Sequence, residues 1–193
     1  MIIGITGGTG SGKTTLLKLL QDHGFLIADC DQIYHRLLKT DPALLEAITD
    51  HFPGTVTDGI LDRQKLGALV FSDKAALDTL NRITHKAVKA EVTKMLTPPP
   101  ALAAIDAIGL FESGLNELCK LTIAVTAPTH LRITRLMARD NISQSYARAR
   151  IEAQRSQEEF ENLCDYTLVN DGTEEAFREK CLAFLTQLGI INL

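Results

Sequence analysis

Gly7-Gly8-Thr9-Gly10-Ser11-Gly12-Lys13-Thr14 places four glycines, three hydroxyls and a lysine in one run. Glycines without side chains let backbone N–H groups approach phosphate oxygens, and a following helix N-terminus adds its own donors to the nest. Lys13 would bring a mobile positive charge to the β- and γ-phosphates, and the Thr14 hydroxyl is placed to ligate Mg²⁺. The implied chemistry is phosphoryl transfer from a nucleoside triphosphate. Gly8, Thr9, Gly10, Ser11, Gly12, Lys13, Thr14 and Thr15 are its expected contacts. A second group is Asp29-Cys30-Asp31, where a carboxylate could take the proton of an attacking hydroxyl; Asp29 reads equally as a helix cap. A third is Arg135 and Arg139, one helical turn apart. They form either a solvated face or a phosphate clamp, and arginine meets phosphate oxygens bidentately. The Arg139-Asp140 ending before a second arginine-rich stretch (Arg148, Arg150, Arg155) favours a lid.

The elements that must position these groups alternate. Residues 1–6 are an apolar, β-prone run suited to a central parallel strand. A helix with Leu16, Leu17, Leu19 and Leu20 follows the glycine run, and Gly24 stops it. Further strands are expected at 25–28, 101–108, 121–126 and 166–169. Helices are expected at 33–38, 112–119, 130–139, 143–154, 156–163 and 173–188. Such alternation with short links implies a five-stranded, mostly parallel sheet covered on both faces. From Asp41 to Leu96 no strand is convincing. Asp41-Pro42 opens a helix, Pro53-Gly54 and Asp58-Gly59 signal turns, and Asp62 caps a short helix. Ser72 or Asp73 caps a long one that Pro98-Pro99-Pro100 ends. The segment reads as a helical insertion on an α/β core.

Bulk composition sets the outer bounds. At 193 residues the chain suits one domain with a small insertion. A net charge of −4 argues against a broad basic surface for nucleic acid. No window approaches the ~18 apolar residues of a membrane span, and no signal peptide opens the chain, so the expected compartment is the cytoplasm. Cys30, Cys119, Cys164 and Cys181 lack metal-type spacing and read as reduced, mostly buried thiols.

Gly4-Ile5-Thr6-Gly7-Gly8, running into the glycine loop, resembles the opening of bacterial dephospho-coenzyme A kinases. The Asp29–Asp31 element is similar to theirs as well. So are Leu61-Asp62-Arg63 through Leu66–Asp73, Leu80-Asn81-Arg82-Ile83-Thr84-His85, Leu110–Leu115, Arg135–Asp140 and Asp165–Gly172, in the family's order. The resemblance implies a P-loop kinase three-layer fold, with a CoA-binding helical insertion at 41–96 and a lid at 135–163. It implies transfer of the ATP γ-phosphate to the 3′-hydroxyl of dephospho-CoA, with ATP and Mg²⁺ as cofactors. Asp31 would be the general base, Thr6 and Asp29 would support the acceptor site, and Arg139 would clamp phosphates. His85 would contact substrate or stand as a satisfied helix histidine, and Asn170 would line the adenine side. The expected assembly is a monomer or small homo-oligomer. The chain departs from the family with Lys86 in place of a proline after His85, Ile108-Gly109 in place of Pro-Leu, and Gln157 and Phe160 in place of basic residues.

Two other readings share the glycine loop. One is a kinase for a nucleoside monophosphate or another small hydroxyl compound, which the insertion's motifs disfavour. The other is a nucleotide-operated switch or assembly factor, which would want guanine-specifying Asn-Lys-Xaa-Asp elements that the sequence lacks.

Overall fold

A computed structural model describes residues 1–191, apart from the side chains of Phe71 and Ser72. The apolar opening forms strand β1 (Ile2–Thr6), with every residue after Ile2 buried. It pairs in parallel with β5 (Ala103–Asp106) and β6 (Leu121–Thr126), and β6 pairs in parallel with β7 (Tyr166–Val169). With β2 (Leu26–Asp29) at the edge, the five-stranded parallel sheet has the order β2-β5-β1-β6-β7. Helix α1 (Lys13–Asp22) buries Leu16, Leu19 and Leu20 against Ile3, Ile5 and Ile123 of the sheet, with Phe177, Cys181 and Leu185 of α9 (Glu174–Gln187). That apolar layer holds β1 and the start of α1 in fixed relation, which a loop joining them needs.

The chain divides into two compact units. The first comprises Met1–Ile27, Pro100–Leu110 and the chain from Leu115 onward; the second comprises Ala28–Pro99 with Phe111–Gly114. Within the second, α2 (Cys30–Thr40), α3 (Pro42–His51) and α4 (Arg63–Ser72) each pack on the long α5 (Lys74–Met95). Asp29, Asp41, Asp62 and Asp73 cap these four helices through their carboxylates, satisfying first-turn N–H groups that have no partner inside the helix. At the start of α5, Asp73 accepts from Ala75 N at 2.8 Å; the other candidate cap, the Ser72 hydroxyl, lies outside the described residues.

Two expectations need correction. The segment from Asp41 to Leu96 does contain strands: β3 (Val56–Thr57) and β4 (Ile60–Leu61) form an antiparallel hairpin. Asp58 and Gly59 both take positive φ, the geometry of a two-residue hairpin turn. Strands of two residues are too short to show alternation. The helix expected at 112–119 is only a 3₁₀ turn, Leu115–Leu118. Gly114 sits at φ 69°, and both Leu115 N and Asn116 N donate to the Leu110 carbonyl, so the chain curls there instead of winding on.

The first unit also carries α6 (Thr129–Asp140), α7 (Gln144–Glu152) and α8 (Gln157–Leu163). α6 and α7 share a small core of Ile133, Leu136, Ala147 and Ile151. Phe160, where the family has a basic residue, is 2% exposed. It is a core residue here.

Candidate functional site

The loop between β1 and α1 is held open by what surrounds it. Gly12 adopts φ 98°, and a Cβ there would lie 2.1 Å from Asn170 Nδ2. A Cβ on Gly8 would lie 2.1 Å from Arg132 Nη2. A Cβ at either position would displace a neighbouring side chain that fits the bare backbone. Helix α1 starts with no capping side chain and no acid in its first turn, so its positive end is uncompensated. Among the described residues, no acceptor takes the N–H of Gly10 or Gly12, and the Thr14 hydroxyl, on an exposed residue, makes no hydrogen bond. The Ser11 hydroxyl is buried without a partner. These are the features of an anion cradle, and a hard oxygen such as Thr14 Oγ1 fits Mg²⁺.

Other predicted residues lie close to the loop or belong to its frame. Lys13 Nζ donates to the Gly7 carbonyl at 2.9 Å, folded along the loop. Thr15 N bonds Gly12 O and closes the first turn. Thr6 Oγ1 donates to Ile108 O at 3.1 Å, joining the end of β1 to the chain after β5. Asn170 is buried just after β7, donating from Nδ2 to Ser11 O at 2.9 Å and accepting at Oδ1 from Arg135 at 3.0 Å. Its side chain therefore supports the loop from behind.

Arg135 and Arg139 differ in use. Arg135 also reaches the carbonyl of Gly172 at 3.2 Å and serves the Asn170 strut. Arg139, 60% exposed, forks onto Asp140 at 2.7 and 3.0 Å, and Arg150 reaches the same carboxylate at 2.6 Å. The hydrogen bond from Arg139, then that from Arg150, holds the Asp140 carboxyl far below the ordinary carboxylate range. The arginine expected to clamp phosphate thus rests on an acid of its own helix.

In the second unit the two strand-end acids are told apart by their partners. Asp29 is spent on capping, with Oδ1 accepting from Gln32 N at 2.9 Å and Oδ2 from Gln32 Nε2 at 2.8 Å. Asp31, in the first turn of α2, is exposed and has no hydrogen bond or ion pair among the described residues. His85 lines a cavity of about 500 Å³ with Asn81, Arg82, Lys86, Lys89 and Glu112. Burial lowers the His85 pKa, and Glu112 opposes that through its charge and a hydrogen bond. Lys89 Nζ donates to Gly114 O at 2.9 Å.

Sequence reasoning assigned no role to Arg132 or Gln154. Both touch the loop. Arg132 Nε donates to Thr9 O at 2.9 Å, and Thr9 N donates to Gln154 Oε1 at 2.8 Å. The one available signal was spacing, because Arg132 stands three residues before Arg135 on a helix face.

A family model described as dephospho-CoA kinase matches residues 1–175. The dephospho-CoA kinase of Carboxydothermus hydrogenoformans is 36% identical over 190 residues, covering 95% of this chain and 92% of its own. Among solved structures, TT1252 from Thermus thermophilus is similar with a TM-score of 0.81 and 34% identity, covering 97% of both chains. The dephospho-CoA kinase of Campylobacter jejuni follows with a TM-score of 0.67 and 27% identity, over 97% of this chain and 96% of that one. With a P-loop kinase sheet, a bare phosphate cradle and a family match over nearly its full length, this chain belongs to the dephospho-CoA kinase family.

Proposed function

We propose that the chain catalyses the last step of coenzyme A synthesis, moving the γ-phosphate of ATP to the ribose 3′-hydroxyl of dephospho-CoA. The observation that carries the chemistry is the cradle, with its open Gly10 and Gly12 amides and uncapped α1 terminus. A bond forms from the 3′-oxygen to the γ-phosphorus, the bond to the β,γ-bridging oxygen breaks, and ADP leaves. The 3′-hydroxyl proton passes to Asp31, whose carboxylate is exposed and uncommitted, while Asp29 keeps α2 capped. The loop amides and Lys13 meet the negative charge that builds on the phosphoryl oxygens, which is where fixed donors help most. Arg139 exchanges Asp140 for phosphate as the 135–163 lid settles, excluding water from the γ-phosphoryl. Bound at Thr14, Mg²⁺ would neutralise β- and γ-phosphate charge.

On the acceptor side, the Arg82, His85 and Lys86 wall of the second unit's cavity suits the anionic part of dephospho-CoA, within a CoA-binding insertion over 41–96. No described helix is long and apolar enough to cross a membrane, and the working compartment is the cytoplasm. The experiment is an acceptor panel of dephospho-CoA, shikimate and nucleoside monophosphates with ATP and Mg²⁺. Dephospho-CoA should turn over fastest by orders of magnitude. ATP-dependent product from another acceptor, with none from dephospho-CoA, would overturn the reading.

A further inference from the structure

We propose that Arg132 and Gln154 are positioning residues for phosphoryl transfer, clamping the Thr9 backbone from both of its polar groups and so setting the shape of the phosphate loop before ATP arrives. The clamp is a closed triangle. Gln154 Oε1 accepts from Thr9 N at 2.8 Å, Arg132 Nε donates to Thr9 O at 2.9 Å, and Arg132 Nη2 reaches Gln154 Oε1 at 3.4 Å.

The cost of Arg132 argues that it holds something of value. It is 4% exposed, and burial lowers its pKa. No carboxylate pairs with it among the described residues; its partners are two neutral oxygens. Burying a cation with only neutral partners is expensive, and an apolar side chain would serve helix packing better. Its guanidinium also lies so close to Gly8 that a Cβ there would force it to shift, so loop and arginine are shaped to each other.

Gln154 supplies the link to the rest of the lid. It lies in the short connection between α7 and α8, outside both helices. Its one carboxamide oxygen serves the loop and Arg132 together, so a shift of that connection relative to the loop must break the Thr9 bond. With its N–H committed to Gln154, Thr9 offers phosphate no backbone donor, while the neighbouring Gly10 amide stays open. The clamp thereby fixes which amides are left for phosphate.

The inference rests on the loop binding ATP and is indifferent to the acceptor. ATP binding to the wild-type chain by calorimetry separates failure of that reading from failure of the clamp. In the wild-type chain without nucleotide, the Thr9 amide should exchange its hydrogen far more slowly than the neighbouring Gly10 amide. Gln154→Leu should speed Thr9 exchange and raise KM for ATP roughly tenfold, the scale of a buried donor left unpaired. KM for dephospho-CoA should stay within about twofold. Gln154→Glu keeps an acceptor oxygen and should restore most of the ATP affinity. If Gln154→Leu does not fold, Gln154→Asn, one methylene too short to reach, takes its place beside the wild-type exchange measurement. Thr9 exchanging as fast as Gly10 in the wild type, or a variant that leaves KM for ATP unchanged or raises both KM values alike, overturns the proposal.

Discussion

Two ends of one helix treat their arginines in opposite ways. At the near end of α6, Arg132 is buried and Arg135 half-buried, and both are tied to backbone carbonyls or to Asn170 around the phosphate loop. At the far end, Arg139 is largely exposed and rests on an adjacent carboxylate. Interior hydrogen bonds that lose a partner leave a costly orphan, whereas an exposed ion pair gives up little when it breaks. The contrast teaches which part is built to stay and which to move. The loop's shape is over-determined, whereas the distal arginine is held only by an exposed ion pair, as the proposed phosphate clamp requires.

Breaking the fixed region should have the largest effect. Gly12→Ala forces a left-handed φ on alanine and drives its Cβ into Asn170, and should abolish ATP binding in calorimetry or prevent folding altogether. Measurable ATP affinity near the wild-type value would mean that the loop is softer than its packing implies. Lys13→Ala, which leaves the backbone intact, should reduce kcat by roughly 10³-fold through lost charge stabilisation. Steady-state kinetics with saturating ATP would check it.

The smallest effect belongs to the movable end. Asp140→Asn removes the resting partner of Arg139 and Arg150 and should shift KM for ATP by no more than about threefold, with little change in melting temperature. Its pH behaviour has a definite sign. The folded-state pKa is depressed, so the contribution of Asp140 is fully present above its unfolded value near 3.9 and is lost only as pH falls toward the lower folded one. Between about pH 5 and 8 the pair stays charged, and wild type and Asp140→Asn should show the same pH dependence of stability there. A divergence within that window would place Asp140 in a tighter environment than its exposed partners allow.

How much of this was legible in the residues follows the range of the forces. The glycine loop and the five strands could be read because glycine content, apolar runs and helix caps act over a few neighbours. The Asp58-Gly59 hairpin was legible only as a turn, since two-residue strands carry no period. The roles of Arg132, Asn170 and Gln154 were not legible. Asn170 meets Ser11 across 159 residues and Gln154 meets Thr9 across 145, and nothing local marks a buried arginine whose partner is a distant carbonyl. The same holds for the two acids. Sequence left Asp29 between cap and catalyst, and only the Gln32 bonds show that its carboxylate is occupied.

The assignment of the proton acceptor to Asp31 carries the catalytic account, and single-turnover kinetics with ATP and dephospho-CoA test it most directly. Asp31→Asn should bind ATP as the wild type does while transferring phosphate at least roughly 10²-fold more slowly. Asp29→Asn, which still caps α2, should lose far less. Full-rate transfer by Asp31→Asn, or a collapse confined to Asp29→Asn, would contradict the account.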